Sequence, residues 1–261
     1  MFIEGSIIQQ SLMIGLIILI LASFVAGYID AISGGAGLIL IPAFILTGLP
    51  PQLALGQEKL VSTIGTVAAI KNFFQSKAIV WKIIPAGIII AIIGAYVGAK
   101  AILFLPTETI SYVIVALLPI GLLSAFVKGK IHPHIQAQEI KISFITVFLT
   151  CFIVGFYDGF FGPGTGSLFI IALTLFNGLT LLQASATSKI FNFGSNIGAF
   201  VAFFMAGQMA FLIGIPMIIA SLLGNHIGSL QAIKTNGEVV RKVLIITVIF
   251  MMITLIYQLV K

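Results

Sequence analysis

Gly27-Tyr28-Ile29-Asp30-Ala31-Ile32-Ser33-Gly34-Gly35-Ala36-Gly37 interrupts an apolar run, and Gly155-Phe156-Tyr157-Asp158-Gly159-Phe160-Phe161-Gly162-Pro163-Gly164-Thr165-Gly166 interrupts another in the same way. Each stretch has a Gly, an Asp three residues on, and then a Gly cluster. A carboxylate and an open backbone are costly in lipid. They are tolerated where the backbone is buried in protein or lines a polar cavity. The two stretches are therefore read as breaks in membrane helices that face each other and form a working site.

The composition agrees. The chain of 261 residues is 60% hydrophobic and 8% charged, whereas a soluble domain is about a quarter charged. Several apolar runs approach the roughly 20 residues that span a bilayer as a helix. They are continuously apolar, which excludes the alternating pattern of a β-barrel. The net charge of +6 is assigned to orientation in the membrane, not to nucleic acid. Cys151 is the only cysteine, which rules out an intrachain disulfide or a multi-cysteine metal site. The first apolar run lacks a basic leader and a small-residue cleavage site, so it is expected to be a retained helix.

Ten helical elements are expected, at about 7–28, 38–46, 53–74, 83–104, 109–126, 142–156, 167–176, 182–205, 211–233 and 239–260. The halves look like copies. With Asp30 set on Asp158 and two one-residue insertions, Gly37 meets Gly166, Lys59 meets Lys189, and Phe73-Phe74 meets Phe203-Phe204. Gly94 and Gly98 meet Gly224 and Gly228. Fixed-register self-similarity of this kind signals an internal repeat. The domains are a first repeat at 1–127, a cytoplasmic linker at 128–141 and a second repeat at 142–261.

Charge decides the kind of repeat. The loop after the third element carries Lys71, Lys77 and Lys82, while its counterpart after the eighth carries no charge. The loop after the ninth carries Lys234, Arg241 and Lys242, and the central linker carries Lys130, His132, His134 and Glu139. Five crossings per half, with both termini outside, put all three basic loops on the cytoplasmic side, and four cannot. The expected fold is an all-α polytopic membrane protein with two inverted five-element repeats and broken helices at the Gly motifs. Such folds hold substrate near the midplane.

Lys59 and Lys189 are the leading functional candidates. Lys59 lies 12 residues before Lys71, about 18 Å along a helix, which puts it inside the membrane. One reading makes the lysines paired ligands for an anion, helped by helix N-termini that open after the Gly breaks. The other has them reach the headgroups, with Glu58 pairing locally. Asp30 and Asp158 are candidates for proton carriers, cation ligands, partners of those lysines, or simple helix caps. Ser62, Thr63 and Thr66 form one polar face, with Asn72 further along, and Asn192, Ser195, Asn196 and Gly198 mark another. Such faces suit an oxyanion or interhelical hydrogen bonds. His226 aligns with Tyr96 and is placed inside the bundle. The Gly breaks lack the strand context and phosphate-binding Lys of nucleotide loops. With no triad or zinc ligand set visible, neither an enzyme nor a cofactor is expected, and no resident metal.

The second break, followed by Ala184-Ser185-Ala186-Thr187-Ser188-Lys189 and Asn192, resembles the TauE/SafE sulfite exporter family. Gly34-Gly35-Ala36-Gly37 with Pro42 is similar to that family's other glycine motif. The resemblance covers nearly the whole chain. It implies a multi-pass permease of a bacterial or archaeal cytoplasmic membrane that exports small sulfur anions such as sulfite, thiosulfate or organosulfonates. The first half departs in carrying Gln57-Glu58 before Lys59. The expected substrate site is Lys59 and Lys189 with Gly34, Gly35, Gly37, Gly162, Gly164, Thr165, Gly166, Ser62, Thr63, Ser188 and Asn192. Asp30 and Asp158 are its candidates for proton coupling. Rivals are a passive anion channel, a divalent-metal permease using Asp30, Asp158 and the histidines, and a membrane-embedded enzyme or transport accessory protein.

Overall fold

The structure is a computed structural model that describes residues 3–128 and 143–234. Ten α-helices lie in this part: α1 Ile7–Gln10, α2 Leu12–Ser33, α3 Gly37–Thr47, α4 Pro51–Gln75, α5 Ile84–Leu103, α6 Thr107–Lys128, α7 Phe144–Phe160, α8 Thr165–Asn177, α9 Leu181–Met205 and α10 Phe211–Lys234. No strand occurs among the described residues. The first nine expected elements are all present. The tenth, with Arg241 and Lys242, and the linker residues Lys130, His132, His134 and Glu139 lie outside the described residues. The first element is split. Ser11 accepts a bond from Ile14 N and caps α2, a local bond a hydroxyl offers at a helix start. α2 then runs on through Asp30 and stops at Gly34, whose φ of 73° only glycine adopts readily. Asp30 thus sits in the last turn of a helix, as does Asp158 in α7.

Among the described residues three helical stretches, Leu12–Ile32, Trp81–Leu103 and Phe211–Lys234, are long and apolar enough to cross a membrane. α4 and α9 each turn a row of charged and amide residues inward. Glu58, Lys59, Asn72, Lys189, Asn192 and Asn196 are all buried, while Met13, Leu21, Ile89, Ile145 and Leu212 are exposed. A polar interior with an apolar exterior is the arrangement lipid selects.

Packing exchanges the halves. α5 packs on α7 and α9, and the corresponding α10 packs on α2 and α4. The match extends to single residues. A side chain at Gly94 or Gly98 would strike the main chain at Phe152 or Phe156, and one at Gly224 or Gly228 would strike Phe24 or Tyr28. Small residues let these backbones approach. Gly98→Leu is expected to lower the melting temperature in detergent by several degrees, since filling such a contact costs about 1–3 kcal/mol. An unchanged thermal scan would show that α5 and α7 are not this close.

The helix ends pair in the same crossed way. Gln57 Oε1 accepts from Ala210 N at 3.1 Å, and Thr187 Oγ1 accepts from Val80 N at 3.1 Å. The start of α4 thus lies at the α9–α10 turn, and the start of α9 at the α4–α5 turn. α4 and α9 touch and run in opposite directions.

Candidate functional site

The two Gly breaks meet at the centre of the bundle. A Cβ on Gly34 would sit 2.8 Å from Ser167 N and closer still to Gly166. Around this contact four helix ends converge: the C-terminal turns of α2 and α7, with Asp30 and Asp158, and the first residues of α3 and α8, Gly37 and Thr165. α3 and α8 have 11 and 13 residues, about 16–20 Å at the helical rise. Neither crosses a bilayer alone, so their N-termini end inside the protein.

Each lysine reaches the aspartate of the other half. Lys59 Nζ lies 2.8 Å from Asp158 Oδ1, and Lys189 Nζ lies 3.0 Å from Asp30 Oδ2. Lys189 also donates to the main-chain carbonyl of Asp30. Lys59 is 1% exposed, Lys189 1%, Asp30 4% and Asp158 1%. Both aspartates are paired with lysines, one of the arrangements open to them. The lysines do not reach for the headgroups.

The pairs differ in their surroundings. Lys59 Nζ also lies 3.0 Å from Glu58 Oε2 and donates to Asn196 Oδ1 at 3.3 Å. Glu58 accepts from Ser62 Oγ at 2.7 Å. Asp158 accepts further bonds from Thr165 Oγ1 at 2.9 Å and Ser195 Oγ at 2.5 Å. Gly162, at φ 99°, makes the first pair possible, since a Cβ there would sit 2.5 Å from Lys59 Nζ.

Asp30, Glu58 and Asp158 line a small cavity with Ser62, Thr165, Asn192 and Asn196, and with backbone at Gly34, Ala36, Gly37 and Gly162. Its volume is about 10 Å³, about what one water needs. The other expected residues, Lys59 and Lys189 included, do not line it. Gly166 packs on Gly34, Gly164 caps α8 at φ 83°, and the Gly35 carbonyl accepts from Leu38 N at 3.1 Å. The hydroxyls of Thr63 and Ser188 bond the carbonyls of Lys59 and Ser185 in their own helices, so neither is a cavity donor. His226 is on the exposed face of α10, contrary to its expected interior place. The preceding residue, Asn225, packs inward instead. Among the described residues no three His, Cys, Asp or Glu are arranged to hold a metal ion.

Sequence reasoning gave Glu58 only a local pairing role, yet it lines the cavity. A signal was present, because its counterpart Ser188 has no charge.

The model of the family described as Sulfite exporter TauE/SafE matches residues 19–255. A relative from Haemophilus influenzae, named "Probable membrane transporter protein", is 35% identical over 91% of this chain and 92% of its own length. One from Sinorhizobium, "Probable membrane transporter protein ORF9", is 33% identical over 91% and 90%. "Probable membrane transporter protein YfcA" of Escherichia coli K12 is 29% identical over 92% and 89%. No solved structure matches the chain significantly.

Proposed function

The chain belongs to the TauE/SafE family of membrane transporters, and on that premise we propose that it carries small sulfur oxyanions or organosulfonates across a bacterial or archaeal cytoplasmic membrane, by alternating access of two inverted repeats. The carrying observation is the buried junction where two broken helices meet at a polar cavity, with Lys59 and Lys189 paired to two of the carboxylates that line it. The starts of α3 and α8 supply positive partial charge there. Asn192 and Asn196 add amide groups of the kind that bind tetrahedral or pyramidal oxyanions. The cavity holds about one water, so an anion enters only if the halves move apart. That requirement supports alternating access over a permanently open channel.

The opposite directions of α4 and α9, and the crossed packing, support an inverted repeat with boundaries near 1–127 and 142–261. Lys71, Lys77 and Lys82 are exposed at the end of the bundle where Asn72 Nδ2 bonds Ser229 Oγ at 2.8 Å, and Lys234 follows Ser229 there. This grouping supports a cytoplasmic face at that end.

Thermal scanning of the purified protein with thiosulfate, sulfite, sulfate, chloride and cobalt tests the substrate class. A ligand at a hundred times its Kd stabilises the folded state by about 2.7 kcal/mol. The expected outcome is an upward shift of several degrees with thiosulfate or sulfite and none with chloride or cobalt. A shift with cobalt alone would replace the anion by a cation held on the three carboxylates.

A further inference from the structure

The two crossed ion pairs correspond by position but not by environment. Asp158 is held by Lys59, Thr165 and Ser195. The positions matching Thr165 and Ser195 on the Asp30 side are Ala36 and Gly65, which have no hydroxyl. Lys59 has two carboxylates beside it, Asp158 and Glu58, whereas the carboxylate paired with Lys189 is that of Asp30.

Taking the cavity as an anion site, we propose that Lys189 is the lysine that binds the anion and that Asp30 takes up a proton as it lets Lys189 go, while Lys59 stays locked to Asp158. Three points carry this. Enclosing an anion adds negative charge to a buried region that already has three carboxylates, Asp30, Glu58 and Asp158, against two lysines. Uncompensated charge in such a place is costly, so a cation must enter with the anion, and a cavity of this size admits a proton with ease. The carboxylates facing one another there are Asp30 from α2, Glu58 from α4 and Asp158 from α7, with Lys59 from α4 and Lys189 from α9 beside them. Neutralising Glu58 leaves Lys59 paired with Asp158, and neutralising Asp158 leaves it paired with Glu58. Neutralising Asp30 alone leaves an ammonium without its carboxylate, still held by the Asp30 main-chain carbonyl. The proton comes from the water on the side where the cavity opens. It leaves Asp30 when the anion departs and the pair closes again.

The test is calorimetric titration of the full-length protein with thiosulfate between pH 5.5 and 8, a range in which thiosulfate itself does not titrate. In wild type, affinity should rise by up to about tenfold for each unit of falling pH, the signature of one proton taken up per anion bound. In Asp30→Asn the affinity should be flat with pH. A flat wild-type profile overturns the proposal, and so does a pH slope that survives in Asp30→Asn. The double change Asp30→Asn with Lys189→Gln removes both charges and leaves no unpaired ion to unfold the protein. It should not bind thiosulfate, and binding with wild-type affinity would overturn the role of Lys189. Wild type that binds neither thiosulfate nor sulfite at any pH would instead defeat the anion reading on which this one rests.

Discussion

Lys59→Ala is expected to lose about 3–5 kcal/mol of stability, because it strands Asp158 and Glu58 side by side in a buried site with no cation. In a chain of this size that is a fall in melting temperature on the order of 10 °C. The alanine variant should also fail to transport. The loss of stability does not by itself say what the lysine is for, so a companion variant matters. Lys59→Met combined with Glu58→Gln and Asp158→Asn removes the whole charged group. Replacing a buried ion cluster by neutral residues of similar volume is often close to neutral in stability. The triple variant should therefore melt within a few degrees of wild type and still not transport in proteoliposomes. If Lys59→Ala alone melted like wild type, the ammonium would have to be solvated in the native protein, and the buried crossed pair would be wrong.

Gly34→Val is the second large effect, through backbone. Two costs add. A residue with a Cβ at φ 73° loses about 1–2 kcal/mol. The same Cβ would collide with the main chain of Gly166 and Ser167, which cannot rotate away as a side chain can, and overpacking adds about 1–3 kcal/mol. The expected result is a poorly folded protein or one whose two breaks cannot meet. Gly207 supplies the control, with φ 69° and nothing within 4 Å of an added Cβ. Gly207→Val should show the conformational cost alone. Equal effects at the two positions in a thermal scan would mean that the contact with Gly166 is absent.

Much of the fold is legible before any coordinates, because lipid constrains it so strongly. Apolar runs, Pro50-Pro51 and the Gly clusters mark nine described helices to within a few residues. Lys59, Lys189, Asp30 and Asp158 stand out in the chain too, as residues rare in a membrane interior, and the structure buries all four. What pattern reading missed is who meets whom. Asp30 and Lys59 lie in the same half, yet Asp30 pairs with Lys189. Nothing local in the chain distinguishes the two partners; only the crossed packing of α10 on α2 and of α5 on α7 does. Thr63 shows the reverse error. It shares a helix with Lys59 and Ser62, but its hydroxyl bonds the Lys59 carbonyl one turn back, a competition open to any helical threonine. His226 was misplaced because it lies two residues from both Gly224 and Gly228, about 200° round the helix from the face that packs on α2.

The crossed pairing also has a consequence for how the protein is made. Asp30 emerges from the ribosome 159 residues before Lys189. At ordinary rates of synthesis that interval is about ten to thirty seconds. During it, α2 has neither its counter-ion nor the glycine face of α10 that packs on Phe24 and Tyr28. The first half is thus a delayed substrate for assembly, exposed to membrane proteases until the second half arrives. A chain ended after α6 should be degraded, and the same fragment should survive when the second half is supplied as a separate polypeptide.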